Sequence, residues 1–511
     1  MEKSKALKQI AKGGSIVFVG YVLTGMFNIL YKISVARFLS PTEYGLLSLG
    51  IGVVIFLTTV SRLGFFQAFQ KFIPEYRTQG EHDAIKGLIC FGAGLSLTVG
   101  CIFTSIIYMF SEEIALHFFN APELIPVLKV LSFAIPALVL IFLLLSLFLS
   151  FKRPTEKVLL DAGGRGALLL ALTGMAIVLG GNLLDVCYVY VFCCLISAVI
   201  GGLYFLRKIF SLKNKSVHIE YNRIISFSLP LLFVGFLMEV LHWSDTFFIG
   251  YFKGEYLVGL YNAARPLASL LLTVIFSLNS LFYPVASELH AQGKSNYLRE
   301  VYLSVTRWIF VFTFPLFLFL VFFSKDLITI LFGTEYAFAQ NALIILSAGT
   351  FVNAFFGAVG IILQIHEKQN FIFAMHFLAA VINIIMNVIL IPVYGIEGAA
   401  AATAAAIIFW NVLYFIKVNK ILKVWFDLTF YAKYGISAFF ALVLSYILHL
   451  LTGTGVGWLF LKFFLFFSIY FFMLLVTRSF SQEDIEILLL FEKKSGINLN
   501  RLKRILKKFM K

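Results

Sequence analysis

The chain has 511 residues, 60% of them hydrophobic and only 13% charged, with 59 phenylalanines and a mean hydropathy of +0.94. An ordinary globular chain carries about 25% charged residues, so soluble enzymes, nucleic-acid binders and secreted disulfide scaffolds are excluded. A bilayer span takes about 20 apolar residues; about fourteen such spans account for most of the sequence, and the net charge of +15 has to be explained by where the basic residues fall.

Lys3, Lys5, Lys8 and Lys12 precede the first apolar run. Hydropathy and length then predict helices at 15–36, 45–63, 87–110, 125–150, 158–180, 184–206, 224–244, 256–280, 303–323, 338–363, 370–392, 396–416, 431–451 and 457–477. Ser34-Val35-Ala36 has the look of a signal-peptidase site, but the run from Ser15 to Ala36 is too long for a signal h-region and reads as a retained first helix. Basic residues gather in every second loop: Lys71/Arg77/Lys86, Lys152/Arg153/Lys157, Arg207/Lys208/Lys213/Lys215, Lys294/Arg299/Arg307 and Lys417/Lys420/Lys423. The intervening loops hold Glu112/Glu113/Glu123, Asp185, Lys325/Asp326/Glu335, Glu397 and the uncharged Thr452–Gly457. That alternation is the positive-inside pattern and puts both termini in the cytoplasm of a multi-pass cell-membrane protein. The basic charge therefore belongs to the inner membrane surface and not to nucleic acid. Cys90, Cys101, Cys187, Cys193 and Cys194 lie in apolar runs without a CxxC spacing and read as small buried hydrophobes.

The loops are short except Arg207–Arg223, which reads as a linker between halves. After Arg478 the chain changes character. Within Asn500–Lys511, Leu502, Ile505, Leu506 and Phe509 share one helical face ringed by Arg501, Lys503, Arg504, Lys507 and Lys508, which suits either an anionic inner leaflet or a solubilising tail. A weak repeat runs at an offset of about 213: Glu75-Tyr-Arg-Thr-Gln79-Gly80 matches Glu288-Leu-His-Ala-Gln292-Gly293, Glu43-Tyr44 matches Glu255-Tyr256, and Ser111 and Phe119 match Ser324 and Phe332. The expected organisation is all-α and integral to the membrane: a six-helix lobe over 1–212, a second over 213–425, two extra helices over 426–478 and a basic amphipathic tail over 479–511. Parallel repeats of this kind place a substrate site between them.

Charges inside the spans need reasons, because each costs roughly 2.5–3.5 kcal/mol at mid-bilayer. Lys129 and Lys462 sit near a span end and are expected to snorkel; Asp161 and Arg165, one helical turn apart, can neutralise each other. Arg265 falls near mid-bilayer beside Pro266 and faces either an anionic ligand or a carboxylate, Glu239 or Asp245. Lys32 lies within the first helix at the repeat position of Asp245, and Arg37 and Arg62 stand at opposite ends of the first hairpin. Together Lys32, Arg37, Arg62 and Arg265 describe a cationic cavity suited to a phosphate or pyrophosphate. Asn383 and Asn387 share a helix face, and Thr403 lies in an alanine-rich run; they serve either close helix packing or, with Glu239, a small hard cation such as Na+. No P-loop, H-E-x-x-H or Ser/His/Asp constellation is present, and His242 and His376 read as structural.

Two segments carry a family resemblance: Ala36-Arg-Phe-Leu-Ser-Pro41-Thr-Glu43-Tyr44-Gly45-Leu followed by Gln67-Ala-Phe-Gln-Lys-Phe-Ile-Pro74-Glu75-Tyr76, and the turn Leu390-Ile-Pro392-Val-Tyr-Gly395-Ile-Glu-Gly398-Ala-Ala-Ala. They resemble the polysaccharide and lipid-linked oligosaccharide flippases of the multidrug/oligosaccharidyl-lipid/polysaccharide exporter superfamily. The resemblance implies two six-helix lobes in a V shape with two extra C-terminal helices, alternating access, and a groove for a polyprenyl tail along those extra helices. It implies cavity cations at Lys32, Arg37, Arg62 and Arg265. It also implies a Na+ site at Glu239, Asn383, Asn387 and Thr403, although the family's carboxylate on the eleventh helix is Asn387 here; Asp245 is a further candidate for coupling by Na+ or H+.

The expected function is transport, without catalysis or cofactor, of a polyprenyl-(pyro)phosphate-linked oligosaccharide from the inner to the outer leaflet for surface polysaccharide or glycan assembly. Membrane lipids are expected partners, with glycosyltransferases or a polymerase beside them. The alternatives are a multidrug or metabolite cation antiporter of the same fold, and an integral-membrane glycan polymerase or ligase. The last would need a sizeable exterior loop with catalytic residues, and none is predicted.

Overall fold

A backbone in hydrocarbon must satisfy its own hydrogen bonds, and the apolar runs accordingly fold as helices, with no strand among the described residues. The computed structural model describes residues 20, 22–208, 220–424, 428–451 and 455–477. The start of the first predicted helix, the middle of the predicted linker and the basic amphipathic tail lie outside the described residues. The helices are α1 (22–38), α2 (Pro41–Ser61), α3 (Phe65–Gln79), α4 (His82–Met109), α5 (Leu124–Ser132), α6 (Ala134–Ser150), α7 (Pro154–Val178), α8 (Leu183–Lys208), α9 (Tyr221–Lys253), α10 (Glu255–Ala291), α11 (Ser295–Phe322), α12 (Thr334–Phe356), α13 (Gln369–Leu422), α14 (Leu428–Leu451) and α15 (Val456–Val476), with short helical turns between some of them.

Ten of the described helices are long and apolar enough to cross a membrane, or eleven when α5 and α6, bent by 43° at Phe133, are taken as one span. Hydropathy alone predicts about fourteen. Three features account for the difference. The described part of α1 and the apolar stretch Tyr431–Ile447 are short, and α13 runs 54 residues through a break at Gly395 (φ 58°, ψ −128°). At about 1.5 Å per residue α13 is far longer than one bilayer crossing.

Contacts divide the chain into two compact units, Met1–Ala263 with Asn383–Ala399, and Ala264–Ile382 with Ala400–Lys511. In the first unit, α2 begins where Ser40 and Glu43 cap each other reciprocally, the Glu43 N–H donating to Ser40 Oγ (3.3 Å) and the Ser40 N–H to Glu43 Oε2 (2.9 Å), with Pro41 at the first helical position. It ends at Leu63-Gly64, both at positive φ. A Cβ on Gly64 would overlap the Ser228 carbonyl oxygen of α9, so only glycine permits this turn against α9. The segment after the turn, expected as loop, is the amphipathic helix α3, with Phe65, Phe69, Phe72, Ile73 and Tyr76 buried. Cys187, Cys193 and Cys194 are buried as expected, but Cys90 and Cys101 are exposed on α4. An apolar run favours lipid and protein neighbours alike, so hydropathy does not separate the two.

In the second unit, a core of Phe282, Leu298, Tyr302, Ile309, Ile362 and Val418 joins α10, α11, α13 and the short helix Val359–Ile365. The alanine-rich run packs closely: a Cβ on Gly349 would meet Ala404 Cα at 2.6 Å. Lys462 does not snorkel. It is 1% exposed, and its Nζ lies 3.4 Å from Asp326 Oδ2, joining α15 to the turn after α11. Removing one member of a buried pair strands the other and costs about 3–5 kcal/mol. Lys462→Met is therefore expected to lower the melting temperature in detergent, and adding Asp326→Asn is expected to restore part of it. Equal melting of all three proteins would show that the pair does not hold α15.

Candidate functional site

Two polar clusters lie within the first unit. The first forms where α2 ends. The Gly64 turn fixes Arg62, whose carbonyl also accepts from Ser96 Oγ at 3.4 Å. Arg62 Nη2 donates to Thr59 Oγ1 (2.5 Å), and the Thr59 hydroxyl donates to Glu239 Oε1 on α9 (3.1 Å). The Arg62 Nε is buried without a hydrogen-bond partner. The Arg62 guanidinium carbon stands 4.6 Å from the centroid of the Phe142 ring on α6, and that of Arg165 on α7 stands 5.4 Å from the same ring. Arg165 is paired with Asp161 at 2.9 Å, as their spacing predicts. An anionic ligand is what this arrangement suits chemically, because guanidinium groups near an aromatic face keep planar forks for phosphate oxygens.

The second cluster joins α9, α10 and α13. Asp245 Oδ1 accepts from the side-chain amides of Asn383 (3.2 Å) and Asn387 (2.8 Å), and Asp245 Oδ2 accepts from the Tyr261 hydroxyl. Ser244 donates to Asn383 Oδ1 (2.6 Å), and the Asn387 amide also donates to that oxygen (3.2 Å). One helical turn separates Asn383 from Asn387 on α13, and the adjacent residues Ser244 and Asp245 of α9 meet them. Asp245, Asn383, Asn387 and Tyr261 are all buried, and Asn387 Oδ1 has no hydrogen-bond partner. The carboxylate facing the two asparagines is thus Asp245. Glu239, which the sequence groups with them, faces Thr59 instead. Six residues apart on one helix, the two carboxylates point to different sides. Among the described residues no group of three or more His, Cys, Asp and Glu is placed to hold a metal ion.

The remaining expected residues are dispersed. Lys32 is half-buried on α1 and Arg37 is exposed at its end. Arg265 and Thr403 belong to the second unit, each half-buried. Sequence reasoning misses Thr59, Phe142 and Tyr261, whose only signal is a polar or aromatic residue in an apolar run.

An all-α fold whose described helices are mostly long and apolar enough to span a bilayer, with polar clusters between them, is that of a multi-pass membrane protein. Residues 10–290, more than half of the chain, match the polysaccharide biosynthesis protein family, and residues 230–389 match the MatE family. The chain belongs to the polysaccharide biosynthesis protein family. It is 24% identical over 433 residues to an uncharacterized membrane protein of Methanocaldococcus jannaschii, covering 81% of this chain and 85% of that one. It is 28% identical over 162 residues to the probable low-salt glycan biosynthesis flippase Agl15 of Haloferax volcanii, covering 32% of this chain and 34% of that one. The fold is shared with the lipid II flippase MurJ in an inward closed conformation, with a TM-score of 0.71 at 15% identity over 89% of this chain and 97% of that one. The chain is accordingly a multi-pass membrane protein of the polysaccharide biosynthesis protein family that shares its fold with MurJ.

Proposed function

We propose that this membrane protein moves a polyprenyl-(pyro)phosphate-linked oligosaccharide from the inner to the outer leaflet of the cell membrane, with both termini cytoplasmic, to supply surface polysaccharide or glycan assembly. The observation that carries the reading is Arg62: a guanidinium held among apolar helices, with a buried Nε that has no hydrogen-bond partner. An arginine stays charged at any physiological pH, so one kept in the membrane interior suits an anionic head group. The glycan flippase among the relatives supports the same substrate class. Arg265, in the second unit, is proposed as a further residue that contacts the transported lipid, and any Na+ or H+ coupling is assigned to Asp245 with Asn383 and Asn387. Glycosyltransferases or a polymerase are proposed neighbours that make or consume the substrate.

The test uses the full chain in vesicles containing a fluorescent polyprenyl-diphosphate-linked oligosaccharide. Arg62→Ala and Arg265→Ala are each expected to abolish flipping while leaving the melting temperature within a few degrees of wild type. Arg265→Lys should recover only part, since an ammonium lacks the planar fork. Variants that fold and flip normally would overturn the reading. The match to the MatE family over residues 230–389 favours one rival, a cation antiporter. Uptake of a cationic dye driven by Na+ or H+, with no movement of the lipid, would establish that rival instead.

A further inference from the structure

The substrate residues expected from the sequence do not include Arg165, which reads there as half of a structural pair. Its surroundings are unusual for a structural residue. Leu159–Ala167 winds as a π-helix, a form that is rare outside single wide turns and gathers at functional sites. Its sequence, Asp161-Ala-Gly-Gly-Arg165-Gly-Ala, places three glycines in one stretch of helix, where each costs about 1 kcal/mol relative to alanine.

Two of those glycines sit at close approaches. A Cβ on Gly164 would lie 3.3 Å from Ser197 Oγ of α8, and one on Gly166 would lie 3.2 Å from Phe27 Cβ of α1. The third, Gly163, is exposed, and a Cβ there would meet nothing within 4 Å. The wide turn is thus pressed between α1 and α8 on two sides and open on another. Arg165 emerges from it with 22% of its side chain exposed, its hydrogen-bonded partner Asp161 just one turn away.

Both guanidiniums lie close to a single phenyl ring, at 4.6 Å for Arg62 and 5.4 Å for Arg165. They can therefore be separated by no more than about 10 Å, close enough for one diphosphate to accept hydrogen bonds from both. We propose that Arg165 is the second arm of the head-group site: Arg62 and Arg165 clamp a diphosphate beside Phe142, and Asp161 occupies Arg165 when the site is empty. The proposal rests on the flippase reading. In the bound state the ligand's phosphoryl oxygens replace or share the Asp161 contact, so the carboxylate acts as a weak internal competitor. Cation–π attraction holds each guanidinium near the Phe142 ring.

The competitor separates this role from a structural one. Full-length protein in detergent is titrated with farnesyl diphosphate, inorganic diphosphate and farnesol, and binding is read by fluorescence quenching alongside thermal melting. Arg165→Ala should weaken farnesyl diphosphate about tenfold or more, and Arg165→Lys should weaken it less. Asp161→Asn should tighten it several-fold, because the internal carboxylate no longer competes. A purely structural pair predicts the reverse for Asp161→Asn: lower melting with no gain in affinity. If wild type binds farnesyl diphosphate and both Arg165 variants and Asp161→Asn bind it equally well, the second-arm proposal is overturned while the flippase reading stands. If wild type binds none of the phosphorylated probes, the flippase reading fails and takes this proposal with it. Inorganic diphosphate bound as tightly as farnesyl diphosphate would overturn a lipid head group as the occupant and leave a free phosphate in its place.

Discussion

Replacing Gly45 with alanine is expected to force α2 and α10 apart where they cross. A Cβ on Gly45 would overlap the Glu255 carbonyl oxygen and lie 2.7 Å from its carbon, and one on Gly259 would overlap the Pro41 oxygen and lie 2.8 Å from its carbon. Main-chain atoms cannot swing aside as a side chain does, so the helices themselves must separate. Overpacking of a fitted contact costs about 1–3 kcal/mol and sometimes more. Gly259→Ala should act as strongly as Gly45→Ala, because the contact is reciprocal: Pro41 and Glu255 are 214 positions apart, as are Gly45 and Gly259. That spacing is close to the sequence repeat, so the crossing joins equivalent positions of the two repeats. Gly25→Ala and Gly94→Ala, where a Cβ meets nothing within 4 Å, serve as controls and should melt at or slightly above wild type, since alanine is the better helix former. Melting curves in detergent decide the matter. If Gly45→Ala melts like Gly94→Ala, α2 and α10 do not cross so closely.

The crossing also bears on transport. A transporter that alternates between two states has to remake some helix contacts and keep others. If α2 and α10 separate during the cycle, Gly45→Ala biases the protein toward the separated state, and flipping slows while binding of the head group persists. A variant that loses stability but transports at the wild-type rate would show that the crossing stays closed throughout.

Legibility from sequence depends on how far apart the interacting residues are in the chain. The Asp161–Arg165 pair and the shared face of Asn383 and Asn387 depend on the helix period alone, and both are found as expected. The capped start of α2 is written in Ser40-Pro41-Thr-Glu43. The break in α13 at Gly395 falls between two predicted helices. The partner of Asn383 is not legible, because Glu239 and Asp245 share one helix and only the packing of α9 against α13 selects between them. Lys462 departs from expectation for a related reason: its depth in the sequence does not reveal that Asp326 lies beside it. The bend at Phe133 and the π-helix at Leu159–Ala167 leave no pattern in hydropathy, since the residues around them remain apolar or small.

The largest loss of stability is expected from Asp245→Ala. In the folded protein the Tyr261 hydroxyl and the amides of Asn383 and Asn387 all donate to this one carboxylate. Alanine leaves three buried donors from α10 and α13 with that acceptor gone, and each unsatisfied donor costs about 1–3 kcal/mol. Such losses do not simply add, because neighbouring donors can rearrange, but the net effect should exceed that of the Gly45 substitution or of any other single helix contact. Asp245→Asn keeps the shape and one acceptor oxygen, so its loss should be smaller, and the order of melting should be wild type, then Asn, then Ala. The reciprocal change tests what the cluster can hold. Asn387→Asp would place a second carboxylate within hydrogen-bond distance of the first, and two such groups cannot both stay charged without a cation between them. Its melting temperature should therefore rise with added Na+, whereas choline at the same ionic strength should leave it unchanged. If Asp245→Ala melts with wild type, the cluster does not join these helices. If Asn387→Asp gains nothing from Na+, the cluster does not hold that cation, and coupling by Na+ at Asp245 falls with it.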